Sequence, residues 1–382
     1  MPITSPRTAS TAALAVAGLL ALSACTAGTP AVDAAPTSAT TPAVDPTPSE
    51  DAALFILDND WSPYSGGDAM VLLNAPDAEL IGTTTVTGDA WSPQGTASAL
   101  SLMEAIGVDD VPVAQGQEYP LINTPARSYA RAKLYGGGGA WLGAFAPSDE
   151  DPTVPAVADP DEVTEPVVGW AQHLAADERD AVDFLIEKVH EFPGRVTIVT
   201  TGPLTNIAAA IRRDPTFSTA AKGIVIGGGN VYQLSPGETD AAFNSSEGFN
   251  FRFDPESAHI VLTGDWKQIT VVGDATSSVM FDDALMDRIV ANDSAKSRVI
   301  EQIGYVGNPI WDETTAAIAA DPTLIAESIP LRMDVDLSEG PSYGQARVWA
   351  DGDSPGLGEA LVTYVQAVDT EGVTDLFVAA TR

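Results

Sequence analysis

The stretch LFILDNDWSPYSGGDAMVLL, residues 54–73, decides how this chain is read. An apolar run drives into Asp58, Asn59 and Asp60; a Trp-Ser-Pro-Tyr-Ser-Gly-Gly turn follows, then Asp68 and a second apolar stretch of helical spacing. Such a run is a buried strand, and each carboxylate at its mouth carries a desolvation penalty. Something must offset that penalty. Outward from here, short β-branched runs that stop at Gly, Asp or Thr (ALFILD, ELIGTTTV, VPVA, RVTIVTT, GIVIGG, QITVVGD) alternate with helical patterns (QGTASALSLMEAIG, ERDAVDFLIEKVHEFPG, PLTNIAAAIRRDP). This order predicts an α/β fold, a mainly parallel open sheet with helices on both faces. Ligands of such sheets bind outside the carboxyl ends of the strands, where these acids lie. After Pro322 the runs LRMDVDLS, QARVWADG and EALVTYVQAVD predict extra C-terminal strands, read as a meander on the sheet edge, and a short final helix.

The N-terminus reads differently. Residues 1–25 have signal-peptide proportions, with Arg7 ahead of an apolar stretch too short to span a bilayer. They end in Leu-Ser-Ala-Cys, which places Cys25, the only cysteine, where a lipoprotein would be lipidated; an ordinary secretory signal is the alternative. The expected location is extracytoplasmic, with the chain lipid-anchored to a bacterial cell membrane. Residues 26–50 are rich in Ala, Thr and Pro and read as a flexible, disordered tether. Residues 51–382 read as one domain, with the acidic, Pro-rich segment 147–166 as a surface excursion. One cysteine permits no internal disulfide, so stability must come from the core. A net charge of −35 disfavours nucleic-acid polymers and anionic lipid surfaces as partners. The lipid anchor is the expected membrane contact, and a homo-oligomer is compatible with the sequence.

Four stretches, each ending a strand or opening a helix, carry the chemistry. They are Asp58/Asp60/Asp68, then TIVTTGPLTNIAAAIRRDP (197–215), SSEGFNFRFDPESA (245–258) and NPIWDETTAAIAADP (308–322). Together they resemble the inosine–uridine-preferring nucleoside hydrolase family. The resemblance rests most on Thr201-Gly202-Pro203-Leu204-Thr205-Asn206, and next on Phe249-Asn250 with Asp254-Pro255-Glu256. The opening aspartates depart from the family's pattern: the turn is longer, and Gly67 stands where the first member of a double aspartate would be.

The resemblance implies a Rossmann-like nucleoside hydrolase fold, a small-molecule nucleoside as substrate and a bound Ca²⁺, an ion that takes six to eight hard oxygen ligands. Asp60, Asp68 and Asp312 would supply carboxylates and Thr201 a backbone carbonyl, with Asp58 orienting them. Asp60 would be the catalytic base that deprotonates a water, and the water attacks the ribose as the N-glycosidic bond breaks. Asn250 is the expected ribose contact, Asn244 a contact to the 5′-hydroxyl, and Asp89 stands where the family usually has an Asn near the ribose. Many members carry a His before the last metal aspartate; here the pair is Trp311-Asp312, similar to the purine-specific branch, where aromatic rings sandwich the base. Tyr119 falls near the second ring's place, with Trp91 in reserve. His173, His190 and His259 fall in no motif, and the glycine runs at 136–139 and 227–229 lack phosphate-loop spacing.

Two other functions fit parts of the sequence. A phosphatase built on Asp58-Asn59-Asp60 lacks the Thr it wants after the second Asp and leaves GPLTN and WDE without a role. A non-catalytic nucleoside-binding lipoprotein suits the leader and tether, and Gly67 keeps it open.

Overall fold

The computed structural model describes residues 41–42, 48–135, 141–147, 157–231 and 248–382. One compact unit spans Ala39–Arg382. Cys25, Asn244, the glycine run at 136–139 and residues 148–156 of the acidic segment lie outside the described residues.

The sheet strands are β1 Ala53–Asn59, β2 Ala78–Thr85, β3 Val113–Gln115, β4 Val196–Thr200, β5 Gly223–Gly227, β6 Ile269–Val272, β7 Ile325–Val335, β8 Ala346–Trp349 and β9 Ala360–Val368. They lie in the order β8-β7-β9-β6-β5-β4-β1-β2-β3. From β3 to β9 every neighbouring pair is parallel; β7 runs antiparallel to β9, and β8 antiparallel to β7. The C-terminal strands are therefore not a meander. β9 returns to pair with β6, which leaves β7 in the middle of the extension and β8 outside. The burial of Val362, Tyr364 and Val365 on β9 accounts for that inner position.

β1 shows why the acids end up buried. Its neighbours on both sides are strands, so Leu54, Phe55, Ile56 and Leu57 are all enclosed. Alternation sends Phe55 and Leu57 into a core with Met70, Leu102 and Phe377, and Leu54 and Ile56 into one with Phe184, Ile198 and Ile207. The chain leaves β1 toward β2 and β3, then crosses back to β4 on the opposite side of β1. The carboxyl ends of β1 and β4 thus flank a topological switch point, where an open α/β sheet has its crevice.

Candidate active site

Asp58, the penultimate residue of β1, has a fully buried side chain. Its Oδ1 accepts from the Thr84 hydroxyl and from Asn206 Nδ2 at 2.7 Å, while Oδ2 has no hydrogen-bond partner among the described residues. Burial pushes its pKa up to about 7 against these hydrogen bonds. Its backbone carbonyl receives the N–H of Thr201, which ties the end of β1 to the residue after β4. Asn59 follows, also fully buried, and its Nδ2 donates to Asp68 Oδ2 at 2.6 Å and to Asp312 Oδ2 at 3.4 Å. Trp61, wholly buried, adopts a φ of +33°, a left-handed backbone that a bulky residue rarely takes, and its N–H is held by Asn59 Oδ1. Between them Asp60 is 3% exposed, and its Oδ2 accepts the backbone N–H of Asp89 at 2.8 Å.

Two glycines make room for Asp60. A Cβ on Gly88 would stand 2.2 Å from Asp60 Oδ2, and one on Gly202 would stand 2.8 Å from the Asp60 backbone nitrogen. The glycine of the GPLTN motif is therefore a close approach of the loop after β4 to Asp60.

The helix Gly67–Leu73 brings in Asp68, which is fully buried. Besides Asn59, Asp68 accepts from the Thr201 hydroxyl at 3.0 Å and from the N–H of Ala69. The Thr201 carbonyl receives Asn250 Nδ2 at 3.0 Å, and the same nitrogen reaches the Gly227 carbonyl at the end of β5. Asn250 thus ties the residue after β4 to the end of β5. The helix Trp311–Ala320 supplies Asp312 and, beside it, Glu313.

These acids feel one another. Burial raises the pKa of Asp60, with the charges of Asp89 and Asp68 adding to it. Burial likewise raises Asp312, reinforced by Asp68, Asp60, Glu313 and Asp89. Asp68 and Asp89 are raised by burial, and Glu313 is pushed by burial and by Asp68 to about 8. Among the described residues no ion pair reaches Asp58, Asp60, Asp68, Asp89, Asp312 or Glu313.

Among the described residues, no group of His, Cys, Asp and Glu side chains is already drawn together as a metal cage; the Asn59 amide stands between Asp68 and Asp312 instead. The donor set nevertheless suits a hard cation. It consists of oxygens from separate chain segments, wholly or partly shielded from water, mutually repelling and, among the described residues, without a Lys, Arg or His partner, so an added positive charge would relieve every member.

Around this floor stand aromatic rings. Trp311 is 46% exposed and its Nε1 donates to Ser277 Oγ; Tyr119 is 53% exposed and meets Trp91 edge-on at 5.6 Å. Trp311 and Tyr119 make no ring contact with each other. Trp91 is 8% exposed and also packs on Phe145, so it belongs to an aromatic cluster. Trp141 donates from Nε1 to Asp89 Oδ1 at 2.5 Å. Tyr64, from the long turn after β1, stacks on Tyr305 at 5.2 Å. His190 and His259 pair with Asp214 and Asp334, outside this cluster.

The structure thus gathers Asp58, Asp60, Asp68, Asp89, Thr201, Asn250 and Asp312 at one end of the sheet. Sequence reading missed Asn59, Trp141 and Glu313. Asn59 sat in plain view between two acids, and the desolvation argument applied to them extends to any polar group there. Asp254, read only as part of a motif, is structural. It caps the helix Pro255–Leu262 through the N–H of Ser257 and accepts from the Thr205 hydroxyl and the N–H of Leu121.

Comparison with known proteins bears on this site. The family described as inosine-uridine preferring nucleoside hydrolase matches residues 55–375. Uridine nucleosidase 1 of Arabidopsis thaliana is 36% identical over 209 residues, 54% of this chain and 52% of that protein, so the match spans about half of that relative's length. The inosine-uridine preferring nucleoside hydrolase of Crithidia fasciculata is 30% identical over 268 residues, 68% of this chain and 74% of that one. Among solved structures, a plant nucleoside hydrolase superposes with a TM-score of 0.65 at 24% identity, covering 86% of this chain and 98% of that chain. A purine-preferring ribonucleoside hydrolase from Gardnerella vaginalis gives a TM-score of 0.64 at 22% identity, over the same 86% and 98%. These structural likenesses support the fold.

Proposed function

Because the chain belongs to the inosine-uridine preferring nucleoside hydrolase family, we propose that it hydrolyses the N-glycosidic bond of ribonucleosides to free base and ribose, and that it does so with Ca²⁺. One observation carries the reading. Asp60 and Asp68, on either side of the long turn after β1, and Asp312, far along the chain, lie close enough for their charges to act on one another, with Asp68 bonded to the Thr201 hydroxyl and bridged to Asp312 by the Asn59 amide. Asp60, Asp68, Asp312 and the Thr201 carbonyl would hold the cation, which when bound polarises water and binds vicinal sugar hydroxyls.

The protein's own groups do the rest. Asp60 is the base: it removes a proton from the attacking water, with the Asp89 N–H fixing the direction of its carboxylate. Asp58 lies behind it and keeps β1, β2 and the helix Thr205–Arg213 in register through Thr84 and Asn206. Asn250 and Asp89 face the sugar, and Asn244, outside the described residues, is assigned to the 5′-hydroxyl. Trp311 and Tyr119 would take the base between them, which supports a purine preference.

The leader and tether support an extracytoplasmic enzyme held through a lipid on Cys25. Metabolic labelling of the native host with a palmitate analogue should tag the wild type and leave C25S untagged; equal labelling removes the anchor from the account.

The direct test of function is incubation of purified protein with inosine, adenosine, guanosine and uridine, with and without chelator, followed by chromatography of the free base. Release from the purine nucleosides, lost in chelator and restored by calcium, is expected. Nucleoside that binds but stays intact under every condition identifies a non-catalytic binder.

A further inference from the structure

Gly67 and Glu313 are in intimate contact. A Cβ built on Gly67 would lie 2.2 Å from Glu313 Oε1, 2.7 Å from its Cγ and 2.9 Å from its Cδ. No side chain fits at position 67 while Glu313 occupies this corner, and the missing Cβ is what admits the carboxylate. Gly67 precedes Asp68, and Glu313 follows Asp312, so the contact joins the two segments that bring those carboxylates together.

A glutamate near a helix start ordinarily turns outward to water. Glu313 instead lies only partly exposed against the helix Gly67–Leu73. Among the described residues it has no side-chain donor and no ion-pair partner. Its nearest charges, Asp68 and Asp312, are of the same sign. In the protein alone this arrangement is repulsive, and an apolar side chain in its place would relieve it. It makes physical sense if a cation completes the cluster.

We propose that Glu313 is an electrostatic member of the cation-holding cluster, entering from the helix Trp311–Ala320 the corner that position 67 leaves vacant. The inference rests on the reading above and extends it: the absent side chain at Gly67 is compensated from another helix. Glu313 strengthens cation binding through its charge and positions Asp68 and Asp312.

Calcium titration calorimetry on chelator-stripped protein tests this, with thermal unfolding in chelator as the check on folding. Wild type, E313Q, E313A and G67D/E313A are compared. E313Q keeps the shape and loses the charge; it should bind calcium about 10–100-fold more weakly, the scale of groups that support metal ligands, with its unfolding temperature in chelator unchanged or raised. E313A should be as weak, and G67D/E313A, which returns a carboxylate to the same corner from the other helix, should recover most of the affinity. E313Q that binds calcium like wild type overturns the proposal while leaving the functional reading intact. A double variant as weak as E313A overturns the reciprocity of the two positions. Wild type that takes up no calcium overturns the functional reading itself, and this inference with it.

Discussion

The side-chain amide of Asn59 donates to Asp68 Oδ2 across 2.6 Å, fastening the end of β1 to the helix Gly67–Leu73. Through the same nitrogen it reaches Asp312, and through Oδ1 it restrains the left-handed backbone of Trp61. Replacing it by leucine leaves the buried Asp68 and the partly buried Asp312 without their shared donor. Hydrogen bonds to charged groups contribute about 1.5–3 kcal/mol each. Asn59→Leu should therefore lower stability in chelator by about 2 kcal/mol or more, read by urea unfolding. Unchanged stability would show that the amide does not hold the cluster.

D60N removes the base and a cation ligand together, whereas D312N removes a cation ligand alone. General-base catalysis contributes roughly 10²–10⁴-fold. D60N should lose at least that much in kcat on inosine, and a rate within fivefold of wild type would remove Asp60 as the base. D312N should abolish tight calcium binding, measured by equilibrium dialysis; retention of the ion takes Asp312 out of the site.

Trp311 stands exposed at the rim, on the same helix as Asp312. Stacking of a base on an aromatic ring is worth about 1–3 kcal/mol. W311A should therefore lower kcat/KM for inosine about tenfold or more relative to uridine, and Y119A should act in the same direction. An unchanged purine-to-pyrimidine ratio in W311A contradicts the assigned preference.

Asp254 gives a pH signature away from the cation cluster. Burial raises its pKa from 3.8 to about 6 despite donors from Thr205, Leu121 and Ser257, with the Glu256 charge adding to the rise. For a raised carboxylate, the stability it contributes is fully present below its unfolded pKa and is lost as pH rises through the folded one. One pKa unit corresponds to about 1.4 kcal/mol, and pH 4 already lies above the unfolded value, so wild type should lose about 2 kcal/mol relative to D254N between pH 4 and pH 7. Urea unfolding of both proteins at the two pH values measures it; a pH-independent difference contradicts the burial argument.

Much of this was legible in the sequence. The β1 acids could be placed because an apolar run ending in carboxylates states both burial and location, and GPLTN marked the partner strand end. What could not be read depends on how distant elements pack. Nothing local to Glu313 says that its carboxylate will lie on Gly67, because that contact follows from the packing of two helices far apart in the chain. Trp141 follows a glycine run with no periodicity, so its reach to Asp89 left no pattern. The C-terminal runs were recognisable as strands, but their order was not: pairing of β9 with β6 is chosen by which strand buries the most apolar surface, and that choice is global.

The central claim is tested most directly by anomalous diffraction from crystals soaked in calcium. One strong peak contacted by Asp60, Asp68, Asp312 and the Thr201 carbonyl, with the Asn59 amide no longer standing between Asp68 and Asp312, is the predicted map. A fully soaked crystal with no peak there, and these carboxylates turned away from one another, contradicts it.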